Sequence, residues 1–357
     1  MKIKASGFIP VVIIIMMAAG IMPISAGGRA ETERETVNFF ALGTTCSISF
    51  DVDRKGRAAG SGIQADEIFT GIEELINSIE YAMSVNIEDS EVSRINRSAG
   101  HAAEKVSEPV LEVITAGKQY SKLSGGAFDI SIGPLVKLWG IGGDSAAVPS
   151  ETEIENALKL IDYSLIEIND DSIYIPSEGM SLEPGGIAKG WAADKAAEYL
   201  KSAGIKSALI NLGGNVLAVG NKKDGSQWRI GVQNPDNTRG DYLGILTISD
   251  CAVVSSGKYE RYFIQDEKRY HHILSTVDGF PVENGIAQVT IICPQSMTAD
   301  AMSTSVFSLG IKEGLALAEK IENVEAIIIT DAGDIHLTGG IRDRFKLTDT
   351  SFNIKGE

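Results

Sequence analysis

From residue 205 onward the chain reads almost wholly as strands. "SALINLGGN" is a buried strand ending in a tight turn, and apolar segments follow at 227–233, 242–249, 251–255, 259–264, 270–274 and 286–292. Two helices, at 299–309 and 312–321, interrupt the series before "EAIIITD" and "IHLTGG" close it as strands. Strands in runs, with helices inserted in blocks, predict an α+β fold: a mostly antiparallel sheet core with helices packed on it, not a doubly wound parallel sheet. No internal repeat and no internal linker divides residues 37–357, so one folded domain is the expected organisation.

The first half supplies the helices. "VNFFALGTTCSISFDV" alternates as two strands around a turn at Gly43. Residues 64–82 place Ile68, Ile72, Leu75, Ile76 and Ile79 at helical spacing, and 109–123 form a second helix with Pro109 in its first turn. "SGGAFDISIGPLVKLWGIGG" reads as a glycine-rich loop, 151–161 as a short helix, and 172–176 as a strand. Another helix runs from about Lys189 to Ala203, with Ala193, Ala196, Ala197 and Leu200 as its apolar stripe and Gly204 as its stop.

Lys2 and Lys4 precede an apolar run from Phe8 to Met22, and "PISAGG" then offers Ala26 as a cleavage point. Residues 1–26 therefore read as a signal peptide or, because Ile24 is bulky for a cleavage site, as an uncut N-terminal membrane anchor. No cysteine lies there, so a lipoprotein is not expected. Residues 27–36 (GGRAETERET) are polar and read as a linker, and the folded part is expected outside the cytoplasmic membrane, periplasmic or held at its outer face. The net charge of −16, with no basic stripe, argues against nucleic acid as a partner. An acidic chain that binds an anion needs a cation or local donors, which raises the question of a metal. Cys46, Cys251 and Cys293 are too widely spaced for a zinc pattern and read as small buried residues.

Several short stretches could carry chemistry. In "TADAMSTSVFSLG", Asp300 and Thr304 lie one helical turn apart on one face, with Ser303 beside them. A carboxylate and a hydroxyl so placed can share Mg²⁺, which prefers oxygen ligands. The alternative is structural: Thr298 caps the helix and Asp300 is a first-turn acid favoured by the helix dipole. In "LEPGGIAKGWAAD", Glu183 ends a strand, Gly185 and Gly186 permit close approach of the backbone, and Lys189 opens a helix whose amides can meet an anion. The same residues also suit a plain strand–turn–helix, and they do not form a Walker A loop. Asp129 in "GGAFDIS" can cap a turn or bond a heterocycle. His271 and His272, adjacent in a strand, should point to opposite faces.

Taken in order, "ALGTT", "MSVNIEDSEVSRIN", "GGAFDISIGPLVKLWGIG", "LEPGGIAKGWAAD", "INLGGN", "VSSGKYERYF", "HHILSTVDGFPV" and "TADAMSTSVFSLG" closely resemble the FAD:protein FMN transferase (ApbE) family across roughly residues 37–345. The resemblance implies a T-fold-like α+β catalytic domain that takes FAD as substrate and needs Mg²⁺. It would transfer FMN to a Ser or Thr of an acceptor flavoprotein, such as a membrane redox-complex subunit, and release AMP. By the same resemblance, Asp300 and Thr304 are metal ligands, the Gly186 carbonyl completes that set, and Ser303 is a neighbouring metal-facing position. Leu42, Asn86, Ala127, Phe128, Asp129, Glu183, Lys189 and Leu274 fall at FAD-contacting positions, and His272 beside the reacting phosphate, where it or Asp300 would orient or deprotonate the acceptor hydroxyl. This chain departs from the pattern at Leu42 (Met in many members), Glu183 (usually Asp), Asn86 (often Tyr) and in the turn after His272. An exported FAD-binding protein without chemistry, or an FAD pyrophosphatase giving FMN and AMP, are the competing readings.

Overall fold

The computed structural model describes residues 32–238 and 240–356. Residues 1–26, read as signal or anchor, lie outside the described residues, and no described helix is long and apolar enough to cross a membrane.

Two long strands, β1 (Thr32–Ala41) and β2 (Thr44–Asp53), form a hairpin in full register from Thr32↔Asp53 to Ala41↔Thr44. Residues 32–36, given to a linker on composition, are thus part of β1; alternating charges are compatible with a strand that forms the edge of a sheet. The two-residue turn has Leu42 and Gly43 both at positive φ, 55° and 66°, the conformation that matches the twist of a hairpin. Leu42 is unusual there, and its N–H is held by Glu80 Oε2 at 2.8 Å.

Helices then follow: α1 (Ala65–Met83), α2 (Glu91–Arg97), α3 (Glu108–Leu123) after the short β3 (Glu104–Lys105), α4 (Gly133–Trp139) and α5 (Glu151–Leu158). Helix α4 lies inside the segment expected to be loop. Pro134 in its first turn and Gly140 at φ 56° after its last residue punctuate it, but at seven residues it is too short to show a period. Strand β5 (Ser172–Tyr174) pairs with β3 on one side and with β4 (Glu167–Asn169) on the other in a small sheet. After the 3₁₀ turn Pro184–Gly186 comes α6 (Ala188–Ser202), then β6 (Ala208–Leu212), β7 (Asn215–Val219), β8 (Trp228–Gln233), β9 (Tyr242–Ile248), β10 (Ala252–Gly257), β11 (Tyr262–Gln265), β12 (Lys268–His271) and β13 (Ile286–Cys293). The chain ends with α7 (Ser296–Leu309), α8 (Ile311–Glu319), β14 (Glu325–Thr330), β15 (Asp334–Leu337), β16 (Phe345–Leu347) and β17 (Asn353–Ile354).

The main sheet has the order β1-β2-β6-β7-β10-β13-β14-β15-β17 and is antiparallel except at β15–β17. Every residue of the central β13 is buried, because both faces of the sheet are covered. One face packs on α1, α6 and α7 through Ile48, Phe50, Ile72, Ile76, Ala193 and Ala196. The other packs beneath β8, β9 and β16 through Trp228, Leu246, Ile327 and Phe345. A separate cluster of Leu135, Trp139, Ile154 and Leu274 sits under the hairpin β11–β12, whose Phe263 and Tyr270 stack at 5.2 Å. The α+β, mostly antiparallel architecture expected from the strand runs is the one observed. The three cysteines are buried, and burial pushes their thiols up to about 11 (Cys46, Cys251) and about 12 (Cys293), so they are packing residues and not nucleophiles.

Helices α6 and α7 cap one another. Asp194 of α6 accepts the Ser296 and Met297 N–H groups at the start of α7, both at 2.8 Å. Asp300 of α7 accepts the Gly190 N–H in the first turn of α6 at 2.9 Å. Neither helix has a side-chain cap from its own N-cap residue. Asp194→Ala leaves two part-buried donors without partners and should lower unfolding free energy by about 2 kcal/mol, and Asp194→Asn, which keeps one acceptor, by roughly half as much. Urea midpoints at constant m-value measure both; equal midpoints for the wild type and the alanine variant would contradict the reciprocal cap.

Candidate active site

The site is built on that junction. Helix α7 begins at Ser296 after Gln295, so Thr298 is inside the helix and not its cap, and Asp300 stands in the second turn. The first-turn explanation of Asp300 is therefore removed. Asp300 is 4% exposed, with Oδ2 on the Gly190 N–H and Oδ1 3.7 Å from the Lys189 ammonium. Lys189 in turn donates to the Gly185 carbonyl at 2.7 Å. The glycine turn, the start of α6 and the acid of α7 are thus one hydrogen-bonded unit.

Thr304 lies one turn further along α7, and its side chain carries no hydrogen bond among the described residues. Gly186 faces it: a Cβ on Gly186 would stand 3.6 Å from Thr304 Oγ1 and 3.1 Å from the Phe128 ring. Among the described residues no three His, Cys, Asp or Glu are grouped to hold a metal ion. What is present is one carboxylate oxygen, one uncommitted hydroxyl and the backbone of a side-chain-free residue. That all-oxygen set fits Mg²⁺, which keeps several positions for water and substrate phosphates. Ser303 does not join it. Its hydroxyl is fully buried, donating to the Asp300 carbonyl at 2.8 Å and sharing a 2.7 Å bond with Ser256, so Ser303 ties α7 to β10.

The second wall is the segment before α4. Ser124 Oγ accepts the Phe128 N–H at 3.0 Å and fixes Phe128 against Gly186, with Ala127 half-buried beside it. Asp129 turns inward: Oδ1 accepts from Ser131 N and Oγ at 2.8 and 2.7 Å, and Oδ2 from Tyr163 N at 3.3 Å. Burial raises its pKa while these hydrogen bonds pull it down. Its carboxylate shapes the loop. Glu183 is tied to this wall through its N–H on the Ile130 carbonyl at 2.8 Å, and its Oε1 accepts the Gly185 N–H at 2.9 Å. Burial raises the Glu183 pKa, opposed by Gly185 and by the charges of Lys189 and Arg261. Asn96, in the quoted "SRIN" stretch but given no role there, holds both backbone groups of Leu182 at 2.7 and 3.1 Å and so sets where Glu183 begins. Asp194 was overlooked in the same way.

The remaining residues lie around this centre. Thr276 Oγ1 donates to the Gly126 carbonyl at 2.8 Å and joins the 127–129 segment to the loop after His272. Leu274 is buried among Leu135 and Trp139, so its side chain belongs to the packing beneath that loop. Leu42 is in its hairpin turn, held by Glu80 near the end of α1, and Asn86 is exposed just beyond that end. Neither touches the Asp300 cluster.

The two histidines part as strand alternation requires. His271 is buried, its ring edge-on to Phe307 at 5.8 Å and its Nε2 on the Val282 carbonyl at 3.1 Å. Desolvation pulls its pKa down to about 4. His272 faces the other way, with Nδ1 3.3 Å from the Arg261 carbonyl. That oxygen only accepts, so Nδ1 carries the proton and Nε2 offers a lone pair. Burial, then the charges of Arg261, His271 and Lys189, push the His272 pKa down to about 3.

An oxygen cradle with a lysine at a helix start stands on the glycine turn, and a neutral histidine stands on the separate β11–β12 hairpin. The ApbE family model matches residues 42–328. The chain belongs to the ApbE family. It is 33% identical to the FAD:protein FMN transferase of Treponema pallidum over 93% of this chain and 94% of that protein. It is 38% identical to one from Klebsiella pneumoniae over 79% and 88%. Among solved structures, the ApbE protein of Thermotoga maritima superposes with a TM-score of 0.79 at 32% identity, covering 87% of this chain and 99% of that one. The flavin transferase ApbE of Vibrio cholerae gives 0.75 at 28% identity, covering 90% and 99%.

Because Asp300 also caps α6, its removal should be felt in the fold of the family member as well as at its site. Asp300→Ala is expected to lower stability by roughly 1–3 kcal/mol, the range for orphaning a buried donor, whereas Asp300→Asn keeps an acceptor for Gly190 and should stay within about 1 kcal/mol of wild type. Thermal or urea unfolding of the pair tests this; an alanine variant as stable as wild type would mean that the cap contributes nothing.

Proposed function

We propose that the chain transfers the FMN moiety of FAD to a Ser or Thr hydroxyl of an acceptor flavoprotein and releases AMP, with Mg²⁺ as the required ion. The observation that supports it best is the placement of the Asp300 carboxylate beside Lys189 and of the Thr304 hydroxyl against the Gly186 backbone, next to the Phe128–Glu183 wall. The magnesium ion, when bound, neutralises pyrophosphate charge and stabilises the leaving AMP. Lys189 adds a fixed cation at the same place, which matters in a chain of net charge −16. Phe128 gives the wall an apolar ring edge, and Glu183 fixes the Gly185 turn from which Lys189 is aimed.

In the transfer, the acceptor oxygen attacks the FMN phosphorus, the bond to the bridging oxygen breaks, and AMP departs. The hydroxyl proton goes to Nε2 of His272. A base with a pKa near 3 is weak, but Arg261 and Lys189 contribute to that depression. A pyrophosphate bound beside them offsets their charges and raises the basicity of His272 when substrate is in place. The acceptor is read as a redox-complex subunit or exported flavoprotein with a Ser/Thr flavinylation motif. That setting rests on the N-terminal segment, read as export signal or anchor, and places the reaction outside the cytoplasmic membrane.

Asp300→Asn should fold normally and lose Mg²⁺-dependent flavinylation, followed as flavin fluorescence on the acceptor band. Transfer near the wild-type level would remove the metal assignment. For His272, kcat/KM reports the free enzyme: a histidine held neutral to about pH 3 predicts no inflection near 6.5, and the acid limb of kcat should lie at higher pH than that of kcat/KM. His272→Ala should slow transfer by about 10²–10⁴-fold, and His271→Ala should act on stability instead. A limb near 6.5 in kcat/KM would contradict the depressed pKa of His272, and equal small losses for both variants would rule the base out.

Asn86 is exposed where many relatives carry a tyrosine by the resemblance above, and an asparagine cannot cover a flavin ring. Slow Mg²⁺-dependent release of AMP from FAD without acceptor is therefore expected, reduced in Asn86→Tyr by the roughly 0.5–1.5 kcal/mol of an aromatic contact. Chromatography of AMP with magnesium and with chelator measures it. No AMP from the wild type, or faster release from the tyrosine variant, would contradict the open-site idea.

A further inference from the structure

Arg261 lowers the basicity of His272 by its charge, and its own position is fixed by that histidine. The register of the hairpin pairs Tyr262 with His271, and His272 N–H donates to the Arg261 carbonyl at 3.0 Å, so Arg261 and His272 are the next opposed pair. Side chains of directly opposed residues in an antiparallel pair leave the same face. His272 Nδ1 also rests on that carbonyl at 3.3 Å, which locks the Arg261 backbone to the ring that is read as the base. The side chain then runs out over the loop after α4: a Cβ on Gly142 would stand 3.7 Å from Arg261 Cδ.

Arg261 is exposed and has no ion pair among the described residues. Lysines of the site and of the segments around the hairpin do carry opposite charges in pairs: Lys189 with Asp300, Lys268 with Glu283, Lys258 with Asp331. An uncommitted guanidinium held at the mouth of a site, in a chain with sixteen more acids than bases, is arranged for an anion that arrives from outside. Both Glu183 and His272 sense its charge, which puts the guanidinium on the site side of the hairpin.

We propose that Arg261 is a substrate-contacting residue that binds the pyrophosphate of FAD from the hairpin side, opposite Lys189, and specifically the phosphate that stays with FMN. This rests on the transferase reading for the identity of the substrate, but its own content is anion recognition. Lys189 is committed to the Asp300 side, whereas Arg261 shares the face of His272, where the attacked phosphorus must lie. A guanidinium donates two parallel hydrogen bonds to one phosphate, which a lysine at that position does not reproduce.

The test compares FAD with riboflavin, which carries the same ring without phosphate. Binding to the full chain, read by quenching of flavin fluorescence, should weaken about ten- to a hundredfold for FAD in Arg261→Gln and be unchanged for riboflavin. Arg261→Lys should recover only part of the loss. In the transfer assay with acceptor and FAD, added guanidinium at millimolar concentration should restore part of the activity of Arg261→Ala, and added ammonium should not. Equal weakening of FAD and riboflavin, no weakening of either, or full recovery by lysine would overturn the clamp. If FAD discrimination falls as stated but the wild type flavinylates no acceptor, the clamp stands and the transferase reading fails.

Discussion

The close crossing of α6 and α7 governs the rest of the structure. Gly190 is the contact point: a Cβ there would fall 2.3 Å from the Ser296 carbonyl, so only glycine lets the two backbones approach. At that distance each helix lies within reach of the other's acid. Asp194 and Asp300 then supply the hydrogen-bond acceptors that neither helix start obtains from its own sequence. Helix starts are electropositive, so a carboxylate from the neighbouring helix is favoured at each. One consequence is functional. Asp300 is fixed by its second oxygen, and its first is directed at Lys189 and the glycine turn.

Charge is managed around this junction by burial as much as by pairing. Asp194 has its pKa raised to about 6, chiefly by desolvation, while the helix amides of Ser296 and Met297 pull the other way. Glu183 is raised by burial and restrained by Gly185, Lys189 and Arg261. His272 is depressed by burial and by the same cations. A site with Lys189 and Arg261 near a neutral imidazole is locally positive although the chain is strongly acidic. Such a local field favours a polyanionic substrate, and the surrounding acidity does not cancel it because interactions between separated surface charges are screened within about 10 Å.

Much of this was legible in the sequence. Helices with a full apolar stripe were placed to within a few residues: Ile68, Ile72 and Ile76 do lie on the buried face of α1, and Ala193, Ala196 and Ala197 on that of α6. The strand runs gave the antiparallel sheet, and adjacent histidines on a strand gave opposite faces. What could not be read is what depends on contacts between distant segments. Asp194 and Asp300 are 106 residues apart in number, and nothing local marks them as exchanged caps. Asn96 looks like any helix-end asparagine until Leu182, 86 residues on, is seen against it. Ser303 shares a helix with Thr304, but only β10 shows that its hydroxyl is taken by Ser256. Helix α4 escaped because its glycine-rich flanks resemble a loop and its seven residues complete barely two turns. The first five residues of the edge hairpin, 32–36, were obscured for the opposite reason, since their polar composition suits a linker and an exposed strand equally.

The hairpin that carries His272 stands apart from the main sheet, and this sets a second requirement for the site. Two strands of four residues are not stable alone in water. Their tight turn, with Asp266 and Glu267 at φ 50° and 63°, joins them but does not anchor them. The anchor is Trp139, whose ring centre lies 5.6 Å from Tyr270, 6.4 Å from Phe263 and 5.7 Å from Phe280. Its indole N–H is bound to the Gly279 carbonyl at 2.8 Å, which fixes the loop after His272 at the same time. Trp139 is the last residue of α4, and α4 follows directly from the Phe128–Asp129 wall. The two sides of the candidate site are therefore built by one chain segment: its first part lines the glycine turn at Gly186, and its last part holds up the hairpin from which His272 and Arg261 project. A shift of α4 along its axis would move both walls together, so the spacing between the oxygen cradle and the histidine is set by how Trp139 packs and not by either wall alone.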